Sequence, residues 1–248
     1  MAIASVGTLG TGASGTSSNS FTITTTAALE AGNTGIVAVS SDNTSTGADG
    51  DGGEITSVTD SAGNTWVKLG EYGNNNGSAA AGAVAAVWMT RAQFTLASSG
   101  TITINFVSNR TDKCACAWEF TTAGGGLILV SGPVTPDAVD ASNGFGSVSI
   151  SGLSSLSRLY FRGLSKEANT TTDITPSTSF TAISPTRSRN NAAAVIVRGE
   201  FRINTSTGET SNPTLAVSGD TAGVFVALEE RGGAFPFTPQ YYDHLMVR

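Results

Sequence analysis

Residues 55–66 read Ile-Thr-Ser-Val-Thr-Asp-Ser-Ala-Gly-Asn-Thr-Trp, and this stretch decides the fold class. Thr56-Ser57-Val58-Thr59 runs as a strand up to Asp60, whose carboxylate is suited to cap a turn. Gly63-Asn64 supplies the two residues that tolerate positive φ, and Trp66, Val67 and Leu69 open a return strand. The reading is a β-hairpin.

Working outward, strand-like runs recur between clusters of Gly, Asn, Asp and Ser. The spacing predicts strands at 21–25, 35–41, 55–60, 65–72, 83–90, 101–107 and 114–121. After 127–130 comes a connector with Pro133 and Pro136, then a second set at 147–151, 158–165, 179–184, 193–203, 214–218 and 223–230. No segment carries an amphipathic helical period. The expected fold is all-β, a two-sheet antiparallel β-sandwich of jelly-roll-like type with an arm at each end. Residues 1–20, rich in Gly, Ser and Thr, read as the N-terminal arm. Residues 21–231 read as a single β-sandwich domain and 232–248 as an aromatic C-terminal arm. The runs at 83–90 and 223–230 are apolar on both faces, as central strands are. The stretches 21–130 and 147–231 echo one another, which raises an internal duplication. Gly35 then aligns with Arg158, Ala83 with Ala193, and Cys116 with Phe225. Whether the halves interleave or close separately is open at this level; the two-sided strands favour one interleaved sandwich.

Composition narrows function. The chain has 248 residues, with 39% hydrophobic residues and only 13% charged, against a usual ~25% charged. That is enough apolar material for a core at this length. A net charge of −6 and a sequence pI of about 4.7 disfavour nucleic acid, which needs a basic face. No apolar run approaches the ~20 residues of a membrane helix. The single histidine, His244, leaves little room for His-based catalysis or a multi-His metal site. Cys114 and Cys116 are spaced to share one strand face, and they read as small buried hydrophobes. The first residues lack a signal-peptide pattern, so cytoplasmic synthesis with free thiols is expected. No cofactor is expected.

The order Val58-Thr59-Asp60-x-x-Gly63-Asn64, then Val87-Trp88-Met89, then Thr101-Ile102-Thr103-Ile104, then Trp118-Glu119-Phe120 resembles a β-sandwich family. That family recurs in virion proteins of tailed phages and in some bacterial surface proteins. The resemblance is best over 35–121 and looser over 147–230. It implies a jelly-roll-like virion component and brings no catalytic residues with it.

Several local features offer sites. Asp49, Asp51 and Glu54 flank glycines in a loop that reads as solvated or as a weak calcium site, without EF-hand spacing. Asn74-Asn75-Asn76-Gly77 reads as an exposed tip, a turn or a sugar contact. Arg198, Glu200 and Arg202 alternate with apolar residues and line one solvent face with Arg158 and Arg162. They form either cross-strand ion pairs or an intersubunit surface. Asn-x-Ser/Thr sequons at Asn43, Asn76, Asn109, Asn169 and Asn204 carry no meaning without secretion. Glu119 and Glu229, at matched strand ends, are the one carboxylate pair the repeat suggests for hydrolysis.

The C-terminal stretch is the sharpest anomaly. Phe235, Phe237, Tyr241 and Tyr242, with Leu245 and Met246, follow Gly232-Gly233, and Pro236 and Pro239 bar a central-strand role. Aromatics are common anchors in docking, so these six residues are the expected partner-binding arm. The expected function is a non-enzymatic virion protein, synthesised in the host cytoplasm and most simply a capsid decoration or cement protein. Its partners would be the major capsid protein or tail proteins, and itself as a homo-oligomer, with no nucleic acid and no membrane. The alternative is a tail or fibre module binding carbohydrate or a receptor.

Overall fold

The computed structural model describes residues 3–42, 49–74, 82–124, 126–135, 145–167, 174–189, 194–217 and 219–231. Among these the regular elements are strands alone. The first half supplies β1 (Ala4–Ser14), β2 (Ser18–Thr24), β3 (Thr34–Asp42), β4 (Ile55–Asp60), β5 (Trp66–Asn74), β6 (Ala83–Arg91), β7 (Thr101–Arg110) and β8 (Lys113–Thr121). They form a five-stranded sheet ordered β1-β8-β3-β6-β5, faced by a three-stranded sheet ordered β2-β7-β4. All pairings are antiparallel.

The second half repeats this plan. Its strands begin with β9 (Leu127–Val134), β10 (Val148–Ile150), β11 (Leu156–Glu167), β12 (Ile174–Thr175), β13 (Thr181–Ala182) and β14 (Thr186–Arg187). They continue with β15 (Val195–Ser206), β16 (Glu209–Ser211), β17 (Thr214–Leu215) and β18 (Thr221–Glu230). The main sheet runs β9-β18-β11-β15-β13, with β14 also on β15, and the pairs β10-β16 and β12-β17 lie over it. Position by position this is the order of the first half, with the covering sheet broken into two short ribbons. Gly35 lies opposite Glu119 as Arg158 lies opposite Glu229. Arg158 is therefore the equivalent of Gly35, as the sequence suggests. The other two alignments shift. Glu119 corresponds to Glu229, one position from the alignment that set Cys116 against Phe225. Trp88, opposite Val37, corresponds to Arg202, opposite Tyr160, rather than to Arg198.

The fold class stands, and the expectation of one interleaved sandwich does not. Among the described residues no strand of the first eight pairs with any of the last ten. Each half closes on itself because β8 returns to β3, and β18 to β11, within its own half. The halves join instead by packing their two large sheets face to face. This seam holds Ile36, Ala38, Val87 and Phe120 from one side and Leu159, Phe161, Val197 and Val226 from the other. The opposite face of the β3–β6–β8 sheet buries Val37, Val39, Trp88 and Ala117 under β2-β7-β4. That is why β3 is apolar without a break from Ile36 to Val39 and β6 from Ala83 to Met89: each contributes to two cores. β18 does likewise, with Val224, Val226 and Leu228 in the seam and Phe225 and Ala227 beneath the short ribbons.

The N-terminal arm is also corrected. Residues 4–14 pair along β8 from Ala4↔Thr121 to Ser14↔Lys113, and Leu9 is fully buried. The glycines that read as flexible permit close approach. A Cβ at Gly10 would lie 2.8 Å from the Thr24 carbonyl oxygen, and one at Gly12 would lie 2.7 Å from that of Thr22. The connector expected around Pro133 starts later, because β9 includes that proline. Of the strand aromatics, Trp88, Phe106, Phe120, Phe161, Phe201 and Phe225 are buried. Trp118 is only partly buried; its indole N–H donates to Ser5 Oγ at 2.7 Å and its ring packs on Phe201.

The turn at 55–66 forms as read, but the hairpin does not: β4 pairs with β7 and β5 with β6, so the turn carries the chain from one sheet to the other. Asp60 Oδ1 accepts the N–H groups of Ala62 and Asn64, and Oδ2 accepts the Trp66 indole N–H at 2.8 Å. Gly63 takes φ +82°. Asn64 extends the device: Oδ1 accepts the N–H groups of Gln93 and Phe94, and Nδ2 donates to the Phe94 carbonyl. Asn64→Ala leaves these buried groups unpaired and is expected to cost about 1–3 kcal/mol, read as a lower urea midpoint at unchanged m-value.

Candidate functional site

Strand direction gathers polar groups at one end of the seam. β3 and β11 both end there, while β6, β8, β15 and β18 begin there. Side chains alternate along a strand, so the seam face of β3 runs Ile36, Ala38, Ser40, Asp42. That of β11 runs Leu159, Phe161, Gly163, Ser165, Glu167. The apolar middle thus gives way to hydroxyls and then to carboxylates at one pole. Gly163 is required mid-seam: a Cβ there would come within 2.7 Å of Val87 Cγ2. Ser40 Oγ and Ser165 Oγ share a hydrogen bond of 2.5 Å across the seam. Asn74 Nδ2 donates to the Thr221 carbonyl at 3.3 Å, another tie between the halves.

The acids at this pole come in two equivalent sets. The Asp42 N–H donates to the Asp112 carbonyl at 3.0 Å, and the Glu167 N–H donates to the Asp220 carbonyl at 3.0 Å. Asp112 is well satisfied: Oδ1 accepts from Ser188 Oγ and Oδ2 pairs with Arg189 at 2.5 Å. Asp42 Oδ1 is buried without a partner. Burial first, then the Asp112 charge, pushes the Asp42 carboxyl up to about 6. Glu167 rises to about 7, again chiefly by burial and then by Asp42 and Asp220. Cys114 and Cys116 lie in the seam as free, buried thiols, and burial raises both, Cys116 to about 12.

The arginine array lies elsewhere than expected. Arg162 lies opposite Glu200 across β11 and β15, and these two with Arg158, Arg198 and Arg202 occupy the face beneath the short ribbons rather than an open solvent face, Arg198 and Arg202 being half-buried. Arg162 and Glu200 are fully buried. Arg162 Nη1 donates to Ser211 Oγ at 2.8 Å and Nη2 to the Phe145 carbonyl at 2.8 Å. Glu200 Oε1 accepts from the hydroxyls of Ser177 and Ser211, and Oε2 from the Ser177 N–H at 2.7 Å. Burial pulls Arg162 down to about 10 against the opposing pull of Glu200. Arg158 pairs with Glu229 and Arg202 with Glu209, each at 3.0 Å. The short ribbons β10-β16 and β12-β17 cover what would otherwise be solvent.

The remaining candidates disperse. Glu119 Oε1 accepts from the Glu30 N–H and from Asn33 Nδ2. It lies on the far face of its sheet from the seam, while Glu229 lies on the far face of the other sheet. Sheets pack about 10 Å apart, so the two carboxylates do not form a catalytic pair. In the acidic loop, Glu54 turns inward to Arg110 and Asp51 approaches Lys68 at 3.6 Å. Among the described residues no three His, Cys, Asp or Glu side chains are grouped to hold a metal. Asn74 is a buried strand residue rather than a tip; Asn75 and Asn76 lie outside the described residues. So do Phe235, Phe237, Tyr241, Tyr242, His244, Leu245 and Met246. Sequence reasoning missed the polar pole. Alternation could have put Asp42 and Glu167 on inner faces, but no spacing shows that strands from different halves meet.

The chain matches no family model, no curated protein and no solved structure.

Proposed function

We propose that the chain is a non-enzymatic structural protein of a tailed-phage virion, a capsid decoration or cement protein acting through subunit contacts. The observation that carries the reading is two sandwiches of one plan fused back to back through an apolar seam, with ionic groups spent on internal bonds. Such a body is a rigid spacer with duplicated outer surfaces. Its edge strands also discourage strand-to-strand addition. β1, β4, β5 and β9 each carry an irregularity in register, whereas the central pairs of β3 and β11 carry none. Bulged edges resist uncontrolled pairing, which leaves side-chain faces and arms for assembly. Partners would be major capsid or tail proteins and further copies of the chain, with the aromatic segment 232–248 as the attachment arm. The carbohydrate-binding alternative is less well supported, since Trp66 and Trp88 are buried and Asn74 is engaged; a glycan array tests it.

Copy number in purified virions tests the proposal: hundreds of copies fit decoration, whereas absence from the particle ends it. Truncation after Gly233 tests the arm. Four aromatics could each bury ~150–250 Å² against a partner. The 1–233 chain is expected to melt within about 2 °C of the full chain and to lose incorporation. A large drop in melting temperature of the free protein would refute the docking arm.

A further inference from the structure

The geometry points to a proton-operated latch across the seam: Asp42 of the first sandwich and Glu167 of the second hold this pole closed when protonated and part it when both are charged. This inference is independent of the virion reading.

The two groups sit at equivalent places in the duplicated plan, at the polar ends of β3 and β11, and each is pinned by its own N–H to the backbone of another acid. Among the described residues neither carboxylate has an ion-pair partner within 4.0 Å. Around Asp42 stand Asp112 from the turn before β8, Arg110 from β7, Arg189 after β14, and Glu167 itself. Around Glu167 stand Asp42, Asp220 ahead of β18, Asp112, and the Gly82 N–H, which donates to it ahead of β6. Cys114 of β8 also faces this region. Lys113 and Lys166 point to the opposite faces of their sheets, where their ammonium groups bond the Thr16 and Val217 carbonyls.

Asp112 and Asp220 push from within each half, and between the two sandwiches acts the repulsion of the Asp42 charge on Glu167. It can be relieved by parting them at this pole. Away from this pole the Phe120, Phe161 and Phe201 rings pack across the seam, so the opening inferred is confined to this pole. Both carboxyls titrate in the folded chain above their ordinary values of 3.8 and 4.5. The fold thus favours the protonated forms. Stability present in acid is lost as pH rises through about 6 for Asp42 and about 7 for Glu167.

Carboxyl-carbon NMR titration of the full chain is expected to show midpoints above 5.5 for both residues; midpoints near 4 for both would overturn the latch. The melting temperature should fall between pH 5 and pH 7.5, and should hold nearly level in D42N/E167Q. An equal fall in that variant would also overturn it. At pH 8 a thiol reagent should reach Cys114 about tenfold faster in the wild type than in D42N/E167Q, as local opening predicts. Equal rates would mean that no opening occurs. Should the double variant fail to fold, the wild-type titration still decides.

Discussion

Glu200→Ala is expected to destabilise the chain by about 3–5 kcal/mol, because it strands a buried cation. Glu200 is fully enclosed and bonds Ser177 and Ser211, which in turn bonds Arg162. Removing the carboxylate leaves the Ser177 N–H and two hydroxyls without their acceptor and the Arg162 charge without its counter-charge. For a chain of this size the loss corresponds to a melting-temperature drop of roughly 6–20 °C. The paired change R162M/E200L is the informative control. It removes both charges and fills the space, so it is expected to recover most of the loss. If Glu200→Ala shifts the melting temperature by under about 2 °C, the buried network does not stabilise the second sandwich.

Phe120→Ala is the second large effect, expected at about 3–5 kcal/mol. Phe120 is fully buried in the seam and meets Phe161 edge-on at 6.5 Å and Phe201 at 5.1 Å. These rings belong to different halves, so the cavity opens in the joint rather than inside either sandwich. The loss should therefore lower the cooperativity between halves as well as total stability. A denaturant transition that splits into two steps is the expected signature. A single transition with an unchanged midpoint would show that the seam is not a principal source of stability.

The two predictions separate what is local from what is not. Asp60, Gly63 and Asn64 are legible in the sequence because a turn is decided by residues within a few positions of one another. Strand identity is legible for the same reason, since alternation and bounding glycines are short-range signals. The arginine array shows the limit. Its alternation on β15 was correctly read, yet whether that face meets solvent or the ribbons β10-β16 and β12-β17 depends on segments distant in the chain. The polar pole was invisible for a related cause: Asp42 and Glu167 are neighbours only because two closed sandwiches pack sheet against sheet.

By itself the sequence determined that this chain is all-β, that its turn after Asp60 rests on Asp60 and Gly63-Asn64, and that strands such as β6 and β18 lie between two cores; that this turn joins two sheets rather than two paired strands was decided by the tertiary structure. It also carried the echo between halves, since apolar positions and strand order are repeated. Only the tertiary structure decided that the halves close separately and that the glycine-rich start is an edge strand held by contacts across β2. It alone placed a charged network inside one sandwich and a carboxylate pair at the seam. The physical reason is range: turn chemistry and side-chain alternation act over a few residues, whereas burial and electrostatic environment are set by which sheets come to face each other.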